Sequence, residues 1–301
     1  MRLILFSIDA DTLLFEPWIM TRFKPTKAFG TLLVSLILLS STLTAETPTR
    51  IVSLNGTVTE ILFALGAGNQ VLADDTSSYF PEKAKTLPKV GYQRTLTPEA
   101  ILIHKPDLVL GLEYAGPAQT IQQLKDTGIN VQILPEKLTT EGAEERIKTI
   151  GSLVGKTKEA NALAKQFNSE MKQLKIVKTK VRVLFLYSRS VSSIFVAGKN
   201  TAADVMIQLS GAVNVAEKIS DFKPLTPEAL IDLNPDIILM PEISVEGLGG
   251  ENGVWAINGM SHTNAGKNKR LTTMDDLMLL GFGPRLPQAL KTLNTKWKGF
   301  E

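Results

Sequence analysis

Two distant stretches of this chain read almost alike. Leu96-Thr-Pro-Glu-Ala-Ile-Leu-Ile-His-Lys-Pro-Asp-Leu-Val-Leu-Gly111 has its counterpart in Leu225-Thr-Pro-Glu-Ala-Leu-Ile-Asp-Leu-Asn-Pro-Asp-Ile-Ile-Leu-Met240. Each begins with a threonine suited to cap a helix, then proline at the first helical position with glutamate behind it. A short helix, a Pro-Asp turn and an apolar strand follow. A looser pair, Gly56-Thr-Val-Thr-Glu-Ile-Leu-Phe-Ala-Leu65 and Asn200-Thr-Ala-Ala-Asp-Val-Met-Ile-Gln-Leu209, reads as a threonine cap with an acid at capping-box spacing. Any one βα unit can start this way, but two pairs in the same order indicate a duplication.

Between the copies lies Lys156 to Lys178. Its apolar residues Ala160, Leu163, Phe167, Met171 and Leu174 fall at the three- and four-residue steps of one helical face, and no Gly or Pro interrupts it. With Thr157 as cap and Glu159 in the first turn, the segment predicts one helix of roughly 30 Å. The chain is therefore expected to form two α/β lobes, 46–155 and 179–301, joined by a helical strut at 156–178.

The first 45 residues read as a targeting segment. Thr21-Arg-Phe-Lys-Pro-Thr-Lys27 is a basic region, Gly30 to Leu39 an apolar one, and Ser40 to Ala45 a small-residue exit, with cleavage expected after Ala45. The apolar core is short for a membrane span. Met20 precedes the basic region directly, so residues 1–19 read as an upstream start-site artefact. The 301 residues contain no cysteine, which removes disulfides and the thiol that a lipid anchor needs. A periplasmic, soluble product is expected, and about 255 residues bury ample core without staples.

The formal net charge of +3 falls to near +2 without residues 1–45, too weak and dispersed for a nucleic-acid footprint. Two histidines and no cysteine argue against a zinc or iron–sulfur cage built from those ligands. No base–nucleophile constellation points to an enzyme. Along the chain, strands are predicted at Thr49–Leu54, Gln70–Ala73, Leu108–Leu110, Val131–Leu134, Val181–Tyr187 and Phe195–Ala197. Their alternation with helices predicts parallel sheets in both lobes.

Val90-Gly-Tyr-Gln-Arg-Thr-Leu96, Asn200-Thr-Ala-Ala-Asp204, Ala265-Gly-Lys-Asn-Lys-Arg270 and Met274-Asp-Asp-Leu-Met-Leu-Leu-Gly-Phe-Gly-Pro-Arg285 resemble the periplasmic haem-binding proteins of bacterial haem importers. These are similar in turn to the cobalamin- and ferric-siderophore-binding proteins. The resemblance runs over essentially the whole chain after residue 45, and the C-terminal run is its most specific part. Asn264 departs from the proline expected there. The resemblance implies two Rossmann-like lobes, one long rigid linking helix and a ligand cleft between. It further implies capture of haem for the permease dimer and ATPase of an ABC transporter, with an outer-membrane haem receptor system upstream. Cobalamin or a ferric siderophore is the alternative ligand.

Tyr92 is the candidate iron ligand. A phenolate is a hard oxygen donor matched to ferric iron, and tyrosine serves as an axial haem ligand in catalase. Free tyrosine ionises near pH 10, so a cation must favour the charged form. Arg94 lies two residues on in a segment read as extended, on the same side; the resemblance implies that it supports the phenolate or a haem propionate. His262, in the polar loop Ser261-His-Thr-Asn264, reads as surface, with a second axial ligand as its functional alternative. His104 reads as a helix-end residue, and Tyr79, Tyr114 and Tyr187 as pocket walls. Gly281-Phe-Gly283 lacks the third glycine of a phosphate loop and is explained by Pro284 starting a helix. Glu99 and Glu228 are first-turn acids that the helix dipole alone would favour. In the cobalamin-type relatives one surface glutamate on each lobe meets arginines of the permease, and the resemblance implies that role for these two.

Overall fold

A computed structural model describes residues 47–300, without 191 and 192. The targeting segment read in residues 1–45 lies outside the described residues. In the first lobe β1 (Ile51–Ser53), β2 (Val71–Asp74), β3 (Leu108–Leu112) and β4 (Asn130–Leu134) form a sheet of order β2-β1-β3-β4. All its pairings are parallel, and every residue of β3 is buried, as a strand covered on both faces must be. The covering helices are α1 (Gly56–Ala64), α2 (Pro98–Leu102), α3 (Ala118–Asp126) and α4 (Thr140–Leu153).

The linking helix, α5 (Thr157–Gln173), ends earlier than the sequence suggests, and its cap lies one residue before the expected Thr157. Its N-cap is Lys156, without a side-chain cap bond, and Thr157 is already helical. It stops because Leu174 turns extended, ahead of the β-branched pair Ile176 and Val177. Asn294 then captures the backbone of Val177, donating to its carbonyl at 2.8 Å and accepting from its N–H at 3.3 Å. Ala160, Ala164 and Phe167 form the fully buried stripe, against α4 and both lobes' cores. Gly151 of α4 allows this approach, since a Cβ there would stand 2.2 Å from that of Ala160.

The second lobe contains β5 (Arg182–Ser190), β6 (Ser193–Ala197), β7 (Val213–Asn214), β8 (Phe222–Pro224), β9 (Ile237–Pro241) and β10 (Leu271–Met274). Its helices are α6 (Ala202–Leu209), α7 (Pro227–Leu233), α8 (Glu242–Gly247), α9 (Glu251–Trp255), α10 (Asn264–Asn268), α11 (Asp276–Leu280) and α12 (Leu286–Lys298). The sheet order is β10-β9-β5-β6-β8, with β7 also on β5. This sheet is mixed, which corrects the expectation of a parallel one. β5 pairs parallel with β7 and β9 but antiparallel with β6, because β6 starts too soon after β5 for a crossover helix to fit.

The duplication is visible in hydrogen bonds as well as sequence. Thr97 caps α2 by accepting from the Ala100 N–H, and Thr226 caps α7 by accepting from that of Ala229. A further matched pair escaped the sequence comparison. The Arg50 N–H donates to Asp107 at 3.0 Å while its guanidinium holds the carbonyls of His104 and Lys105 at 2.6 and 2.7 Å. Arg182 repeats this with Asp236 at 3.1 Å and the Leu233 carbonyl at 2.6 Å. Each arginine ties the C-terminal end of the glutamate-bearing helix to the first strand of its own lobe.

The looser pair holds only in its second copy. Thr201 does cap α6, accepting from the Asp204 N–H. In α1 the cap is Asn55, which accepts from the N–H groups of Thr57 and Val58. Thr57 and Glu60 are committed elsewhere.

Candidate functional site

The residues that follow β1 and β2 meet those that follow β10, so the C-terminal edges of the two sheets front one another. The Thr57 hydroxyl donates to the Gly281 carbonyl at 3.0 Å. Glu60, only 4% exposed, accepts two bonds from Arg285 at 3.0 and 2.9 Å, and Arg285 also reaches Asp275 at 3.3 Å. The Arg285 guanidinium stacks 3.7 Å from the Phe80 ring centroid. From α4, Arg146 donates to the Phe282 carbonyl at 3.0 Å. The Tyr79 hydroxyl donates to Asp276 and accepts from the Leu277 N–H at 2.8 Å.

These contacts form a clasp between the halves, and the 275–285 run supplies one whole side of it. Burial pushes the Glu60 carboxyl up, and the Arg285 bonds and charge pull it back. Burial, with Asp276 beside it, pushes the Tyr79 phenol far above its ordinary range. Tyr79 is therefore a protonated tie between lobes rather than a pocket wall. The Gly281-Phe-Gly283 segment is the joint: Phe282 is buried, and its carbonyl and that of Gly281 are both engaged. The proline in the first turn of α12 is Pro287, not Pro284.

Beyond the clasp, Tyr92 is half-buried in the loop leading from β2 to α2. The segment is a turn, not an extended run, because the Thr95 N–H donates back to the Tyr92 carbonyl at 2.9 Å. Tyr92 and Arg94 are therefore not set on one side of an extended segment, which corrects the expectation from the sequence. Arg94 instead lies over the Tyr114 ring, 4.6 Å from its centroid, in cation–π contact. The loop is tied down on three sides: the Thr76 N–H to the Gly91 carbonyl at 3.0 Å, the Gly116 N–H to the Gln93 carbonyl at 2.8 Å, and the Asn55 amide to the Gln93 side chain at 3.0 Å. Gly91, at φ 101°, takes a conformation that other residues rarely adopt. Tyr92 is thus carried on a braced loop, which is what a ligand-holding side chain requires.

The neighbouring strand ends carry charge. Burial pushes up the carboxyl of Glu136, after β4; Arg146 and Arg94 counter this and Glu113, after β3, reinforces it. At the end of β2, Asp74 is fully buried with its Oδ1 on Lys89 at 2.6 Å, and burial lifts its pKa to about 7.

His262 is exposed at the end of a short turn whose anchors all belong to the second lobe. Gly259 lies against Pro227, and Asn264 bonds to Asn234 at 2.8 Å and Asp236 at 3.0 Å. His104 is half-buried at the end of α2, its carbonyl held by Arg50. Tyr187 is half-buried against the main core. Glu99 and Glu228 are exposed in the first turns of α2 and α7, and neither is in an ion pair among the described residues. Sequence reasoning missed Glu60 and Arg285 because they stand 225 positions apart and have no local signature.

The model of a family described as periplasmic binding protein matches residues 51–277. Among solved structures, the periplasmic haem-binding protein RhuT from Roseiflexus sp. RS-1, in its apo form, is 39% identical with a TM-score of 0.79. The match covers 83% of this chain and 98% of that one. The ABC transporter substrate-binding lipoprotein YvrC of Bacillus subtilis is 31% identical over 253 residues, 82% of this chain and 79% of its own length. A vitamin B12-binding protein of Vibrio campbellii is 26% identical over 223 residues, 69% of this chain and 81% of its own.

Proposed function

The chain belongs to the periplasmic binding protein family, and from that premise we propose that it captures haem in the periplasm and delivers it to an ABC importer. The observation that carries this reading is Tyr92, a half-buried phenol on a braced loop beside the strand ends that front the cleft. Its oxygen suits ferric iron, and Arg94, exposed over the Tyr114 ring, offers a cation for a haem propionate. The higher identity to a haem-binding protein, 39% against 26% for a vitamin B12-binding one, supports haem over cobalamin. His262 takes no part in this reading. Cobalamin is the second reading, favoured by the Vibrio campbellii relative. Titration with haemin and with cyanocobalamin decides between them: an oxygen-ligated ferric spectrum with haemin is expected, and tight binding of cyanocobalamin alone would overturn the haem reading.

In this reading its partners are a permease dimer with its ATPase, with an outer-membrane haem receptor system as the source of haem upstream. Glu99 and Glu228 are the docking groups in this reading, one exposed carboxylate on each lobe. Reversing both, Glu99→Lys with Glu228→Lys, is expected to abolish haem uptake while haem binding survives, and each single reversal to do less. Unchanged uptake in the double variant would leave the pair as helix-start acids.

Residues 1–45 act as a cleaved signal, and without a cysteine the product is released rather than lipid-anchored, unlike its Bacillus subtilis relative. Intact-mass measurement on protein from an exporting host should give a chain starting near Glu46. A membrane-bound form retaining those residues would contradict this.

A further inference from the structure

The two copies of the repeat keep their register beyond the strands. β3, Leu108–Leu112, and β9, Ile237–Pro241, correspond residue for residue, and every position in both is buried. The next two residues also correspond: Glu113-Tyr114 in the first lobe and Glu242-Ile243 in the second. In each, the chain leaves a fully buried parallel strand at its C-terminal end and at once puts a large apolar side chain into solvent. Tyr114 is 49% exposed and Ile243 58%. One such residue on a surface needs no explanation; two at equivalent places in a duplicated unit, at the edges where open α/β sheets receive ligands, do.

We infer that Tyr114 and Ile243 are matched apolar jaws, one on each lobe, that grip the ring of a flat tetrapyrrole in the cleft. The inference rests on the haem reading and assigns it two contacts beyond the iron. A porphyrin presents broad apolar faces and a carboxylate-bearing edge. An aromatic ring and a branched aliphatic chain suit the faces. Arg94, lying 4.6 Å from the Tyr114 ring centroid, holds that ring in place and brings a cation to the edge. The jaws act on the macrocycle, so their effect does not require iron. A cobalamin, with axial groups on both faces of its ring, is not gripped this way.

The test uses metal-free protoporphyrin IX beside haemin, read by fluorescence and absorption on the whole exported protein. Tyr114→Ala and Ile243→Ala are each expected to weaken both ligands about tenfold, and the double variant more. The haemin bands that report the iron ligand should keep their positions, and melting temperatures should hold, because both side chains are exposed. Tyr114→Phe should bind as the parent does. Tyr92→Phe separates the two ideas: it should change the haemin spectrum and leave protoporphyrin IX affinity nearly untouched. If both alanine variants bind both porphyrins like the parent, the jaws are refuted even where Tyr92 proves to be the ligand. If Tyr92→Phe changes nothing while the alanine variants lose protoporphyrin IX, the iron assignment fails and the jaws stand. A parent that binds neither porphyrin refutes both.

Discussion

Arg285→Ala is expected to cost about 3–5 kcal/mol of stability, the usual loss when one partner of a buried ion pair is removed. For a chain of this size that lowers the melting temperature by on the order of 10 °C. The reason is what remains. Glu60 is 4% exposed and takes two bonds from Arg285, so without the guanidinium a carboxylate is buried with its main compensation gone. Burial already holds the Glu60 pKa above 4.5, and Arg285 is what draws it down. In the variant it rises further. A carboxyl whose folded pKa is raised contributes stability that is present below its unfolded value and is lost as pH rises through the folded one. The deficit of Arg285→Ala should therefore be smallest in acid and widen toward neutral pH. Adding Glu60→Gln should recover part of it, since a neutral amide tolerates burial better than a bare charge. Urea unfolding at several pH values reads all of this. A deficit below about 1 kcal/mol that ignores pH would mean the pair behaves as an exposed one. The pair also joins the two lobes, since Glu60 lies in the first and Arg285 in the second.

Tyr92→Phe should lower haem affinity on the order of 100-fold or more, since losing groups that merely support a metal ligand already costs about 10–100-fold. The change keeps the ring and its packing, so unfolding should be nearly unaffected. With parent protein, haemin should show the weak visible charge-transfer bands of high-spin, oxygen-ligated ferric iron, and in the variant those bands should be lost. Arg94→Ala should also lower affinity but more weakly and without moving those bands, because it removes a cation for a propionate and leaves the iron donor in place. Affinity should also fall as pH falls, since a proton competes with iron for the phenolate. If the variant keeps both spectrum and affinity, Tyr92 is a packing residue and another tyrosine must be tested.

What the sequence determined by itself is what short-range chemistry controls. Thr97 and Thr226 cap their helices as read, with Pro98 and Pro227 in the first turns, because a cap and its N–H partners lie within three residues. The buried strands β3 and β9, the two-lobe architecture and the exposed first-turn glutamates follow from the same local rules. The C-terminal run was legible as distinctive, but not as one side of a clasp.

Tertiary structure decided the rest wherever a distant group outbid a local one. Thr57 and Glu60 have capping-box spacing, yet Gly281 and Arg285 take them, and Asn55 caps the helix instead. Tyr79 reads from the sequence as a pocket wall and is instead a tie to Asp276 and Leu277. An extended chain would set Arg94 beside Tyr92, but a turn delivers it to Tyr114. The linking helix stops at Gln173 in part because Asn294, more than a hundred residues away, takes the backbone of Val177. In each case a buried polar group must be satisfied by whatever the fold brings within 3 Å, and that partner is set by the packing of the lobes, which no local pattern encodes.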